Sequence, residues 1–127
     1  MSGKRYLLDT NAVIQLLAGN AAIRTLVEEA AFLAVSVICQ LEFLAYPGLT
    51  DDEAQAFAEL LSQFEVFDLM ASDTELVRET IAFRTGSGLK LPDAIIAATA
   101  LVNGCEIVSN DAHFRRQTRV AVRTYPF

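Results

Sequence analysis

The chain has 127 residues, of which 53% are apolar, and its 10 basic and 16 acidic side chains give a net charge of −6. A chain of this length and composition can bury a core as one domain over residues 1–127, which excludes a disordered chain and a small disulfide scaffold. The acidic balance argues against non-specific coating of nucleic acid, although residues 78–127 carry a local charge of +3.

The cysteine and histidine content and the lengths of the apolar runs narrow the class of protein further. Cys39 and Cys105 cannot form a disulfide framework and show no Cys-x-x-Cys spacing, so we interpret both as reduced and buried. A single histidine, His113, excludes a His-rich metal site. No apolar run approaches the roughly 20 residues of a membrane helix. We therefore expect a cytoplasmic protein with no membrane segment, and the surplus of apolar residues favours an oligomer or a tight partner.

In the first part of the chain, short apolar strands alternate with helices. Arg5–Leu8 predicts a buried strand, and Asp9 or Thr10 can cap the helix that follows and that Gly19 ends. The next predicted elements are a helix over Ala21–Ala30, a strand over Phe32–Val35, and a helix that Ser36 caps and that runs through Glu42 to about Ala45, before Pro47-Gly48.

The second part of the chain repeats this alternation. Thr50-Asp51-Asp52-Glu53 and Ser72-Asp73-Thr74-Glu75 are capping boxes, and the second predicts a helix to about Arg84 followed by a loop over Thr85–Gly88. The remaining predictions are strands over Val66–Leu69, Glu106–Ser109 and Val120–Thr124, and an apolar helix over Ala94–Val102 after Pro92. This order predicts an α/β fold with a mostly parallel five-stranded sheet covered by helices on both faces.

Four acidic residues stand next to apolar segments of this predicted fold. Asp9 and Asp111 follow the ends of strands, Glu42 lies inside an apolar helix, and Asp93 opens another one. A carboxylate among apolar residues is costly unless it is paired or coordinated, and sites in parallel sheets form beyond the carboxyl ends of strands. The four acids therefore suggest a cation site, and oxygen ligands suit Mg²⁺ or Mn²⁺ rather than zinc.

Each acid also has a purely structural interpretation. In this interpretation Asp9 is simply a helix cap and Asp93 interacts favourably with the helix dipole. Asp111 is then a turn residue, and Glu42 lies on a solvated helix face. The residues alone leave these alternatives open.

Four sequence motifs resemble the PIN domain, and their order and the chain length resemble the VapC-like ribonuclease toxins of bacterial and archaeal toxin–antitoxin pairs. The motifs are Leu7-Leu8-Asp9-Thr10-Asn11, Ser36 with a helical Glu42, Lys90-Leu91-Pro92-Asp93-Ala94-Ile95-Ile96-Ala97-Ala98, and Val108-Ser109-Asn110-Asp111-x-x-Phe114. The resemblance spans nearly the whole chain, and the segment around Asp93 is its most specific part.

The resemblance implies a three-layer α/β/α fold and Mg²⁺- or Mn²⁺-dependent RNA cleavage by water, which leaves 5′-phosphate and 3′-hydroxyl ends. The implied acidic site consists of Asp9, Glu42, Asp93 and Asp111, with Asp9 and Asp93 as the principal metal ligands. The polar positions that resemble supporting residues of such a site are Thr10, Asn11 and Ser109. The implied partners are an RNA substrate, a cognate VapB-like antitoxin and a second copy of the chain in a homodimer.

Basic residues flank two of the candidate acids. Lys90 precedes Asp93, and Arg115 and Arg116 follow Asp111, so these charges either hold an RNA backbone or are ordinary solvated side chains. We interpret His113 as an ordinary surface or turn residue, because a metal-activated water requires no histidine base.

Two other classes of function remain open at this point. A haloacid-dehalogenase-like phosphatase also begins with an aspartate after its first strand, but it needs a second acid two residues later, where this chain has Asn11. A non-catalytic module that only holds RNA or a protein partner is the other alternative, against which the presence of all four acids argues.

Overall fold

Five strands and six helices alternate through the described residues, 3–126, of the computed structural model. They follow one another as β1 (Arg5–Leu8), α1 (Thr10–Leu17), α2 (Ala21–Glu29), β2 (Phe32–Ser36), α3 (Val37–Leu44), α4 (Asp51–Leu61), β3 (Glu65–Phe67), α5 (Thr74–Gly86), α6 (Leu91–Val102), β4 (Glu106–Val108) and β5 (Val122–Arg123). A 3₁₀ helix over Ala112–Arg116 lies between β4 and β5.

The strands form one parallel sheet in the order β3-β2-β1-β4-β5, which confirms the predicted sheet. Leu7 of the central strand β1 pairs with Ala34 of β2 on one side and with Ile107 of β4 on the other. The chain builds β2 and β3 outward from β1 and then returns to add β4 and β5 on the opposite side. The order therefore reverses between β1 and β4, where a parallel sheet opens a crevice at its carboxyl edge.

Helices cover both faces of the sheet because successive strand residues point to opposite sides. Leu7 and Ile107 belong to one buried cluster, together with side chains of α5 and α6. Leu8 and Val108 belong to a second cluster, together with side chains of α1, α2, α3 and α4. The two clusters give three α/β/α layers, as the resemblance implied.

Helix α6 is buried for most of its length, as its nearly continuous apolar sequence predicts. All seven residues from Ala94 to Ala100 are buried, and the helix packs mainly against α5. Pro92 stands in its first turn. N–H groups there have no partner within the helix, so the missing N–H of proline costs no hydrogen bond. Neither α6 nor another helix within residues 3–126 has the length and apolar content needed to cross a bilayer.

The first predicted capping box is confirmed and the second is wrong in its details. The Thr50 hydroxyl accepts from the Glu53 main-chain N–H, and the Glu53 carboxylate accepts from the Thr50 N–H. At α5 the cap is Asp73 rather than Ser72, because the Asp73 carboxylate accepts from the N–H of Leu76 at 3.1 Å. Helix α5 also continues to Gly86, so the first half of the predicted Thr85–Gly88 loop is helical.

Two edge strands are shorter than predicted. β3 covers Glu65–Phe67 rather than Val66–Leu69, and β5 covers Val122–Arg123 rather than Val120–Thr124. The buried side chain of Gln117 accepts from the N–H of Val120 and donates to its carbonyl, at 2.8 and 2.9 Å. These two bonds satisfy the main chain of Val120 in place of strand pairing, so β5 begins later.

Candidate active site

The carboxyl edge of the sheet brings the four predicted acids towards one crevice. Asp9 follows β1 and Asp111 follows β4, and these two strands are neighbours. Glu42 comes from α3, which follows β2, and Asp93 comes from the first turn of α6. The charges of Asp93 and Asp111 both act on Asp9, and the charge of Glu42 acts on Asp93. We call these four residues the acidic cluster.

Asp9 is the most buried member of the acidic cluster, with 6% of its surface exposed. Its Oδ1 caps α1 by accepting from the N–H of Ala12 at 2.8 Å, and its Oδ2 accepts from the Ser109 hydroxyl. Burial is the largest cause that raises the pKa of Asp9 to about 6, the two hydrogen bonds oppose the rise, and the nearby acids add to it. The cap role and a site role are therefore compatible in this residue.

Ser109 links the two acids at the ends of β1 and β4. Its hydroxyl donates to Asp9 and accepts from the main-chain N–H of Asp111 at 2.9 Å, and its side chain is fully buried. The predicted supporting position of Ser109 thus fixes the orientation of one acid and the main chain of another.

Thr10 performs a similar role for Glu42. The Thr10 hydroxyl donates to Oε1 of Glu42 at 2.7 Å, which joins the start of α1 to the middle of α3. The Thr10 side chain also opposes the rise that burial causes in the pKa of the Cys39 thiol. Burial raises the pKa of the Cys39 thiol to about 12, so this group stays a neutral thiol in the interior.

Asp93 lies half-buried at the start of α6, with no side-chain cap from Lys90 at the helix start. Burial raises the pKa of Asp93, the charges of Asp111 and Glu42 raise it further, and His113 and Lys90 oppose the rise. A carboxyl with this environment binds a proton or a cation more readily than a solvated carboxyl does.

His113 stands at the rim of the acidic cluster, a contact that the sequence interpretation missed. Its ring Nδ1 lies 3.2 Å from Oδ1 of Asp111, and its main-chain N–H donates to the same oxygen at 2.9 Å. Asp93, Asp111 and His113 each offer one potential ligand atom, and these atoms all lie within 4.8 Å of one another. The His113 side chain is 46% exposed, so the prediction that it lies at the surface is confirmed, but its contact with Asp111 was not predicted.

The C-terminal segment lies near Asp9, a contact that the sequence did not predict. The amide of Asn110 donates to the carbonyl of Tyr125 at 2.7 Å and accepts from its N–H at 2.9 Å. This clamp holds the buried Tyr125 where burial, and then the charge of Asp9, raise the pKa of its phenol to about 12.

The remaining predicted residues are exposed around the crevice. Asn11 lies on the outer face of α1 beside Thr10. Lys90, Arg115 and Arg116 are exposed, and the guanidinium of Arg116 donates to the carbonyl of Gly88 at 3.3 Å. That bond joins the 3₁₀ helix to the loop before α6, which also carries Lys90.

An apolar groove of about 620 Å³ runs from the acidic cluster between α1, α3 and the start of α4. Thr10 and Glu42 stand at its junction with the cluster, and Asp52 and Glu53 supply further acidic lining. The apolar lining of the groove consists of Ile14, Leu17, Ala18, Phe43, Tyr46, Leu49 and Ala56. Tyr46 is 64% exposed, so the groove presents aromatic surface to solvent.

Comparisons with known proteins agree with this architecture. The sequence profile of the family described as PIN domain matches residues 6–120. Ribonuclease VapC51 of Mycobacterium tuberculosis is 32% identical over 116 residues, which cover 87% of this chain and 82% of that protein.

Solved structures give the same picture. A chain of a toxin–antitoxin complex from Klebsiella pneumoniae superposes with a TM-score of 0.75 at 27% identity, covering 91% of this chain and 95% of that one. A chain of the DNA-bound VapBC structure from Salmonella typhimurium superposes with a TM-score of 0.74 at 22% identity, covering 95% and 98%. The latter likeness concerns the fold alone.

Proposed function

Because this chain belongs to the PIN domain family, we propose that it is an endoribonuclease that uses a divalent cation and acts as the toxin of a toxin–antitoxin pair. The observation that carries the proposal is the placement of Asp9, Asp93 and Asp111 at the carboxyl edge of the sheet. Asp93 and Asp111 offer oxygens within 4.8 Å of each other, and Glu42 is bonded to Thr10, the residue next to Asp9. The ribonuclease name of the mycobacterial relative supports the choice of RNA as substrate.

The donor set of the acidic cluster fits Mg²⁺ or Mn²⁺. All four members offer carboxylate oxygens, which are the ligands that these cations take. Asp9 is buried and its pKa is raised to about 6, so its ionised form is costly without a nearby positive charge. Asp9 and Asp93 would be the principal ligands, and Glu42 and Asp111 would complete the site directly or through water.

A divalent cation bound at such a site lowers the pKa of a water molecule and stabilises charge on phosphoryl oxygens. The protein's contribution is the fixed orientation of the carboxylates. Ser109 and the N–H of Ala12 hold the two oxygens of Asp9, and Thr10 holds Oε1 of Glu42. Preorganised carboxylates avoid reorganisation during the reaction.

The RNA backbone would approach from the side that carries Lys90, Arg115 and Arg116. These three side chains are exposed, and they belong to the segments that carry Asp93 and Asp111. Positive charges at this place offset the repulsion between a phosphate and the acidic cluster.

The apolar groove would receive the antitoxin, a VapB-like chain. A groove with a mainly apolar lining and acidic groups at Glu42, Asp52 and Glu53 fits a segment with apolar side chains and a cation, such as Arg, near Glu42. A bound segment would also cover the approach to the acids. The exposed apolar residues Leu41 and Leu44 of α3 and Val77 and Ile81 of α5 would support the proposed homodimer.

Cleavage of RNA by the purified protein tests the catalytic part of the proposal. We expect cleavage with Mg²⁺ or Mn²⁺, 5′-phosphate products, and loss of cleavage in EDTA. Asp9→Asn should reduce the rate at least 100-fold with an unchanged circular dichroism spectrum. Undiminished cleavage in EDTA, or near-normal turnover of the variant, would reject this mechanism.

Expression in a bacterial host tests the toxin part. The chain alone should arrest growth, and coexpression of its antitoxin should restore growth. The Asp9→Asn variant serves as the control, because it keeps the groove and should leave growth unaffected. If this variant arrests growth as strongly as wild type does, toxicity does not depend on the acidic cluster.

A further inference from the structure

His113 is anchored to the acidic cluster by both its main chain and its ring. The first turn of the 3₁₀ helix places its N–H 2.9 Å from Oδ1 of Asp111, and the ring Nδ1 lies 3.2 Å from the same oxygen. Two contacts to one carboxylate oxygen hold the imidazole at the rim of the crevice instead of leaving it free in solvent.

The spacing of these atoms suits neighbouring ligands of one metal ion. Two adjacent ligand atoms that are each about 2.1 Å from an ion lie about 3 Å apart, close to the 3.2 Å between Nδ1 of His113 and Oδ1 of Asp111. A carboxylate oxygen of Asp93 belongs to the same group within 4.8 Å. Small side-chain movements would therefore bring two oxygens and one nitrogen onto a single ion.

An imidazole changes which ion such a site prefers. Mg²⁺ takes oxygen ligands and gains little from nitrogen, whereas affinity for nitrogen rises through the divalent transition metals from Mn²⁺ to Co²⁺. The 46% exposure of the His113 side chain leaves its ring accessible from solvent, next to the half-buried Asp93 and Asp111.

We propose that His113 is a metal-selectivity residue, which shifts the preference of the Asp93–Asp111 side of the acidic cluster from Mg²⁺ towards nitrogen-accepting transition-metal ions. The inference rests on the proposed function, since it concerns the same cation site. It adds one nitrogen ligand to a donor set that otherwise consists of carboxylate oxygens.

Calorimetric titration of chelator-stripped protein with Mg²⁺, Mn²⁺ and Co²⁺ tests the inference without RNA. His113→Asn removes the imidazole and keeps the main-chain bond to Asp111. We expect it to weaken Co²⁺ binding about tenfold or more, Mn²⁺ binding less, and Mg²⁺ binding by less than twofold. Asp111→Asn is the matched control, because it removes the negative charge of a ligand that all three ions share and should weaken the binding of all three.

Electron spin echo spectroscopy of the Mn²⁺ complex gives a second readout. Wild type should show nitrogen coupling from a coordinated imidazole, and His113→Asn should lack it. Equal losses for the three ions, no loss for any, or a wild-type spectrum without nitrogen would overturn the role of His113. A wild type that binds none of the ions would instead contradict the proposed cation site itself.

Discussion

The acidic cluster and the apolar groove share residues of α1 and α3, but they differ in which groups the fold holds in an unfavourable environment. In the cluster, the carboxylate of Asp9 is held in the interior, where its charge is poorly solvated. In the groove, apolar side chains such as Tyr46 remain in contact with water. Each cost would be relieved by a different ligand, a cation in the cluster and an apolar segment in the groove. The two regions meet at Thr10 and Glu42, so occupation of one can affect access to the other.

The largest expected effect on the cluster side is the pH dependence of stability in the absence of metal. The folded pKa of Asp9, about 6, lies above its ordinary value of 3.8, so the folded protein holds this proton more tightly than the unfolded chain. This contribution to stability is complete below about pH 3.8 and is lost as the pH rises through 6. The full loss is at most about 3 kcal/mol.

Urea unfolding in EDTA at several pH values between 4 and 7.5 measures this effect. Asp9→Asn is the matched variant, because the amide can still cap α1 but does not titrate. The stability of wild type relative to the variant should fall across this range. If the difference in unfolding free energy between the two proteins does not change with pH, ionisation of Asp9 does not destabilise the folded protein.

On the groove side, truncation of an exposed aromatic side chain should weaken the antitoxin complex. Tyr46→Ala removes the most exposed aromatic lining, and we expect about 30-fold weaker binding, or about 2 kcal/mol, with unchanged RNA cleavage. Met70→Ala is the control, since Met70 is 55% exposed but lies outside the groove lining. Equal affinities of both variants, measured by calorimetry, would place the antitoxin elsewhere.

A smaller effect is expected at the junction of the two regions. Thr10→Val deletes the hydroxyl that donates to Glu42 at 2.7 Å and nearly preserves the side-chain volume. We expect RNA cleavage to fall about tenfold, because the carboxylate loses its fixed orientation. Thr10→Ser retains the hydroxyl and should restore most of the rate. If the valine and serine variants cleave equally, Thr10 is only a helix-start residue.

The placement of Asp9 and Asp111 at one edge of the sheet could be predicted from the sequence, whereas Glu42, predicted to lie among apolar residues, is exposed on α3. Asp9 and Asp111 follow apolar strands, and parallel strands end at one edge of the sheet. The roles of Ser109 and Thr10 became specific only with the hydrogen bonds that join β4 to Asp9 and α1 to α3.

The groove and the rim of the cluster could not be predicted in the same way. Ile14 and Tyr46 are typical core residues by type, and nothing local in the sequence shows that they remain partly or largely exposed. His113 approaches Asp111 because a 3₁₀ helix turns there, which the residue pattern does not specify. The clamp between Asn110 and Tyr125 joins residues 15 positions apart and depends on how the chain returns to the sheet.

Thermal melting of wild type and Asp93→Asn, in EDTA and with Mg²⁺ or Mn²⁺, tests the cation site most directly, because it requires neither RNA nor antitoxin. Without metal at neutral pH, the variant should melt higher than wild type, since it removes a carboxylate whose pKa is raised by burial and by neighbouring acids. At about 100 times the dissociation constant, the cation should stabilise wild type by about 2.7 kcal/mol and the variant much less. A variant that melts lower than wild type in EDTA and keeps the full metal-induced shift would contradict the acidic cluster as a cation site.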